Sequence, residues 1–312
     1  MLIFYQWLAE KSLMLTKQFI PQWFSAEETL QGCHALAVDC ALLCLAWPLG
    51  CAVGRRISRS FKALPLHKQW YVVANISKAA CLAIISMHPT FFYDMIHVFY
   101  NNKFLDNDGE SRAAWIKRIS ALYISSDIMA LVLVPRLPQT TIAHHWIATL
   151  LCLALFATEL QQANVTLMIA LYGAWSSLTW PVNLFLALRC VFDGRWWLTY
   201  VAWTALCMYV AACFLNWGWH TVWFVQQVYH KQILFEWYGF CVLSYALAVC
   251  VVSRDDVILM RWLFNYTQKD FETNRQSKTN AVQECVQLLC KAKACQECSL
   301  PEQSEHCVQN NE

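Results

Sequence analysis

Charge is what this 312-residue chain has least of: Asp, Glu, Lys and Arg make up 14% of it, against about 25% in a soluble domain. The net charge is +2, and no basic stripe runs along any segment, so nucleic acid is not expected as a partner. Alternating strands of about ten residues are also missing, which argues against an outer-membrane barrel. The opening MLIFYQWLAEKSLMLTKQFIPQW has neither the charged start nor the small-residue cleavage site of a secretory signal.

What fills the chain is apolar: 58% hydrophobic residues and a mean hydropathy of +0.35. The 16 tryptophans and 12 tyrosines suit a protein with many membrane–water boundaries, where amphipathic rings settle. The pattern predicts an all-α polytopic membrane protein of about seven transmembrane helices. The expected spans are 34–54, 70–87, 114–134, 142–160, 163–188, 196–216 and 233–253, each long enough for a hydrocarbon core of about 30 Å. Residues 1–33 form an N-terminal segment whose apolar positions fall on one face, expected to lie in the interface and to stop at Pro21. Residues 34–69 hold the first span and a basic loop, 70–253 the remaining bundle, and 254–312 a polar, cysteine-containing tail, partly helical. His88-Pro89 separates the second span from FFYDMIHVFY, read as a short interfacial helix. Pro181 falls inside the fifth span and is expected to kink it.

Orientation follows Lys and Arg in the loops. With the N-terminus luminal and the C-terminus cytosolic, fifteen face inward and seven outward. Under that topology none of the sequons at Asn75, Asn164 and Asn265 is expected to carry a glycan.

The chemistry concentrates at one hairpin. Asp127 sits within an apolar run, and a Pro-bounded loop leads into adjacent His144 and His145. Ionisable groups at membrane depth cost several kcal/mol and mark functional sites. Asp127 lies about 10–12 Å below the surface of loop 135–141 at 1.5 Å per residue. It thus meets the histidines at similar depth. Tyr123 shares its helix face at i,i+4 and can hydrogen-bond it. A histidine oriented by Asp127 serves as general base or nucleophile; the plainer alternative is a polar cluster that joins two helices. Adjacent histidines point about 100° apart, so different jobs are expected of them. No metal is expected, because HExxH-type spacing is absent.

Lys78 is the basic residue well inside a span; it reaches an anionic head group or a carboxylate, or snorkels to the boundary. Asp39 has no partner visible in the sequence. Eleven cysteines lie at or before Cys250, where they behave as small apolar residues. Cys285, Cys290, Cys295, Cys298 and Cys307 lie in the tail with His306, and S-acylation, zinc and no role all remain open. NWGWHTVWF at 216–224 reads as an interfacial anchor.

The order of these pieces resembles the TLC-domain family, named for translocation-associated, longevity-assurance and neuronal-lipofuscinosis proteins. The matching residues are Trp70 with Asn75-Ile-Ser77, Arg118-Ile-Ser-Ala-Leu-Tyr123 leading to Asp127, His144-His145, and SLTWPVN at 177–183. The resemblance implies a six-helix bundle around a lipid-accessible cavity in the endoplasmic reticulum or a related endomembrane. It also implies membrane lipids as partners, with His144, His145 and Asp127 central and Tyr123, Lys78, Thr149 and Asn183 lining the cavity. Ceramide synthases of that family carry His-His-x-x-Thr and a later His-Asp-x-x-Asp. Here Thr149 falls one residue later and no His-Asp pair occurs, which points outside the ceramide synthase branch. The expected function is lipid binding in membrane lipid homeostasis, with no cofactor. The alternative is an N-acyltransferase moving an acyl group from acyl-CoA, as co-substrate, to a sphingoid base. A seven-helix receptor is disfavoured, since Asp-Arg-Tyr after the third span and Asn-Pro-x-x-Tyr in the last are both missing.

Overall fold

A computed structural model describes residues 26–88, 92–93, 97, 109–135, 137–158, 165–192, 194–229 and 237–297. The interfacial segment up to Pro21, most of FFYDMIHVFY, Asn164, and Cys298, His306 and Cys307 of the tail lie outside them. The described residues are all-helical. The helices are α1 Ala26–Ile57, α2 Arg59–Ala63, α3 Leu66–Ser86, α4 Gly109–Leu133, α5 Gln139–Ala157, α6 Val165–Ser177, α7 Trp180–Val191, α8 Trp196–Tyr229 and α9 Trp237–Glu297. The chain divides into two compact units, 1–264 and 265–312; the chemistry below lies in the first.

By length and composition α1 (over Thr29–Ile57), α5 and α8 can cross a membrane, and α6 with α7 makes a fourth if the bent pair is one span. The chain is therefore an integral membrane protein. Helices α3 and α4 are diluted by polar residues that face inward. Gln69, Asn75, Lys117, Ser125, Ser126 and Asp127 are all buried, so their polarity lowers mean hydropathy without facing lipid. On α1 the relation is inverted: Leu42, Leu45 and Leu49 are exposed while Asp39 is buried. Such inside-out patterning fits a bundle whose solvent is hydrocarbon.

Local chemistry sets the ends. Arg55 and Arg56 occupy the last turn of α1, where cations complement the helix dipole. Ser58 caps α2, its hydroxyl accepting from the Phe61 amide at 3.1 Å. Lys117 donates to the carbonyls of Phe156, at 3.0 Å, and Thr158, at 2.7 Å. It thereby satisfies the open end of α5. Arg118 forms a two-pronged ion pair with Asp39, giving that carboxylate the partner the sequence did not reveal and tying α1 to α4. At Gly32 a Cβ would stand 2.5 Å from the Phe156 side chain, so α1 approaches α5 closely where the glycine lies.

Three boundaries differ from expectation. The fifth span is two helices, bent by 43°. The break falls at Leu178 and Thr179, and Pro181 stands in the first turn of α7, where its missing amide is no loss. Proline thus starts the second helix and does not kink the middle of one. The sixth helix continues through NWGWHTVWF to Tyr229, burying Asn216, His220 and Trp223, so that stretch is largely wall and not only anchor. The seventh does not end at 253. Its buried residues Tyr245, Val249, Val252, Asp256 and Leu263 keep helical spacing well into the segment expected to be tail.

Candidate functional site: a polar chamber with two histidine–carboxylate pairs

Helices α3, α4, α5, α6, α7, α8 and α9 surround a chamber of about 290 Å³. The α4–α5 hairpin supplies the wall that carries both histidines. Asp127 is fully buried behind that wall and forms an ion pair with Lys78 of α3. His145 Nδ1 lies 3.2 Å from the Asp127 carboxylate. Lys78 and His145 both face the chamber, and the Asp127 oxygen they share is set behind them. Lys78 therefore neither snorkels nor waits for a head group; it neutralises Asp127, the pairing a buried charge requires.

Tyr123 lines the chamber, but its hydroxyl is directed to Ser176 on α6 and not to Asp127. A charged ammonium makes the stronger bond to a carboxylate, and the phenol is left for a neutral partner. Asn183 also lies in the wall. Thr149 does not: its hydroxyl donates to the His145 carbonyl at 2.7 Å, one turn back on α5, and it borders a groove on the bundle's outer side with Trp70 and Trp146.

His144 and His145 have their rings 5.7 Å apart and nearly perpendicular, at 78°. They reach different acids. His144 Nδ1 lies 3.3 Å from Asp255 of α9. Beside it, Asp256 accepts from Tyr209 at 2.8 Å and from Tyr172 at 3.4 Å. Asn216 of α8 donates to Ser176 Oγ at 3.3 Å and stands in the same wall. Asp255, Asp256, Tyr172, Tyr209 and Asn216 were not singled out from the sequence. For the acids a signal existed: the helical spacing of buried positions passes through residue 253, so Asp256 falls on the inward face. The charged pair at the end of an apolar run had instead read as the start of a tail.

A smaller, apolar pocket of about 50 Å³ adjoins the chamber, lined mainly by Ile85, Ile119, Leu151, Leu155, Ile169 and Val249. Three residues border both spaces: Tyr123, His144 and Tyr172. His144 thus stands where polar and apolar linings meet. The Asp255 carboxylate beside Nδ1 favours the tautomer protonated there, and that tautomer leaves Nε2 with the lone pair of a general base. His145 also lines the chamber but not the apolar pocket, and its Nδ1 lies beside Asp127. Among the described residues no group of three or more His, Cys, Asp or Glu side chains is placed to hold a metal ion. The chain matches no protein-family model, no curated protein and no solved structure.

Proposed function

We propose that this is an endomembrane lipid-binding protein of TLC-like architecture that contributes to membrane lipid homeostasis. In this reading it has seven spans, the last six forming the bundle, with its N-terminus luminal and its C-terminus cytosolic in the endoplasmic reticulum or a related membrane. One observation carries the reading: a polar chamber and an apolar pocket share Tyr123, His144 and Tyr172. An amphiphile needs both, a satisfied polar lining for its head and an apolar one for its chain. The seven spans rest on α3 and α4, whose polar residues turn inward, and on α9, whose apolar start precedes Asp255.

The second reading, N-acyl transfer from acyl-CoA to a long-chain amine, gains from the His144–Asp255 pair. The sequence lacks the family's later acid motif, yet a carboxylate of α9, Asp255, lies beside His144. In that reaction the amine nitrogen attacks the thioester carbonyl and His144 takes the amine proton. The C–N bond forms, the C–S bond breaks, and the His144 imidazolium passes that proton to the leaving CoA thiolate. Asp255 acts as a positioning residue that stabilises the imidazolium.

The test uses purified protein in lipid nanodiscs with palmitoyl-CoA and sphinganine, followed by mass spectrometry, with His144→Ala as control. A lipid retained by the wild type and lost from the variant, without product, supports the binder. Histidine-dependent N-palmitoyl product supports the transferase. Identical lipid content in wild type and variant, with no product, overturns both.

A further inference from the structure

The chamber holds a second cation that neither reading employs. Arg189 lies in the last turn of α7 and forms part of the chamber wall beside Tyr71, Asn75 and Asn183. The Trp262 ring of α9 lies 4.5 Å from the guanidinium carbon. The guanidinium reaches the Tyr71 hydroxyl, while Arg189 Nε is buried and has no hydrogen-bond partner among the described residues. The carboxylates around the chamber are engaged elsewhere: Asp127 with Lys78 and His145, Asp255 with His144, and Asp256 with two tyrosines.

A basic residue in a last turn is ordinarily explained by the helix dipole. That explanation asks only that the guanidinium sit near the free carbonyls. It accounts neither for the buried, unpaired Nε nor for the inward position over an indole. Stacking engages one face of the guanidinium and leaves its edge, a planar fork of N–H donors, directed within the plane. Such a fork fits two oxygens of one phosphate group.

We infer that Arg189 is the phosphate-recognising subsite of the chamber, taking a phosphate ester on the polar end of the bound amphiphile. This rests on the lipid-binding reading and names the head-group chemistry it requires. The spacing is consistent with it. Asp255, beside His144, and Trp262, beneath Arg189, are two turns apart on α9, about 10 Å at 1.5 Å per residue. The ligand then has three parts: phosphate at Arg189, a polar linkage at His144, and an apolar chain entering the pocket beyond. Two amphiphiles carry that order, a bilayer phospholipid and an acyl-CoA.

The experiment uses the full chain in dodecyl maltoside, a phosphate-free detergent, with equilibrium binding of tritiated probes. Dioleoyl phosphatidic acid is paired with dioleoylglycerol, and palmitoyl-CoA with S-palmitoyl-N-acetylcysteamine. The wild type is expected to prefer the phosphate-bearing member of one pair by about tenfold or more, the scale of a charge-assisted bidentate contact. The pair that shows the preference identifies the source. Arg189→Gln is expected to bring the ratio close to one, and Arg189→Lys to restore part of it. No preference in the wild type, or an undiminished ratio in Arg189→Gln, overturns the inference. Should Arg189→Gln not be recovered folded, inorganic pyrophosphate must displace the phosphate-bearing probe from the wild type and do so less effectively from Arg189→Lys; failure of either overturns it. A wild type that holds both members equally removes only the Arg189 subsite, whereas one that holds neither removes the lipid-binding reading as well.

Discussion

Two inward-facing histidines of this bundle, His220 buried and His144 half-buried, live in contrasting surroundings. His220 on α8 has both nitrogens occupied: Nδ1 lies 2.7 Å from the Asn216 carbonyl and Nε2 2.6 Å from the Tyr245 hydroxyl. Its ring packs against Tyr172 and Tyr245, Trp223 and Phe224 pack in turn on Tyr245, and it borders neither the chamber nor the apolar pocket. His144 has one nitrogen beside a carboxylate and borders both. Burial therefore does not mark a working imidazole. What marks it is a nitrogen left over after the scaffold has been served, facing a space large enough for a ligand.

The comparison can be broken in four places. The largest effect is expected from the chamber's own scaffold. Asp127→Ala strands the Lys78 charge, which should cost about 3–5 kcal/mol, and Asp127→Leu combined with Lys78→Met should recover much of it. Thermal unfolding in detergent measures both, and equal losses in single and double variants would refute the pairing. His144→Ala should lower lipid retention about tenfold or more, about 1.4 kcal/mol per factor of ten, with little change in unfolding temperature. A loss of stability matching the loss of binding would place His144 with His220 as scaffold. Asp255→Asn keeps the shape and removes the charge; a reduction of about three- to tenfold in retention is expected, the share of a positioning group. Smallest is Tyr245→Phe, which removes one partner of His220 and should cost about 1 kcal/mol while leaving lipid retention untouched. A change in retention there would show that the two histidine regions are coupled.

The α4–α5 hairpin was legible because its chemistry is local: Asp127 and His145 are joined by a short loop that sets their depth. Lys78 and Asp127 are 49 positions apart, Asp39 and Arg118 79 apart. Periodicity assigns a residue to a helix face but does not say which helix comes to cover it. In a soluble bundle, hydrophobicity separates inner from outer faces. Here Leu45 and Leu49 of α1 point outward, so an apolar residue carries no such label and only the polar ones do. That is why Asp39, Lys78 and Asp127 stood out while the pairing of Lys78 with Asp127 and of Asp39 with Arg118 did not. Asp255 and Asp256 were hidden for another reason: where hydropathy falls at 253, the helix does not end.

The interruption at Leu178 and Thr179 also gives α7 mechanical leverage. From Thr179 to Arg189 the arm is ten residues, about 15 Å at helical rise. Opening or closing the 43° bend by a tenth of a right angle therefore sweeps Arg189 sideways by about 2 Å, roughly the difference between grasping an oxygen and releasing it. A joint of two residues can thus set the grip at one end of the chamber without disturbing the histidines at the other.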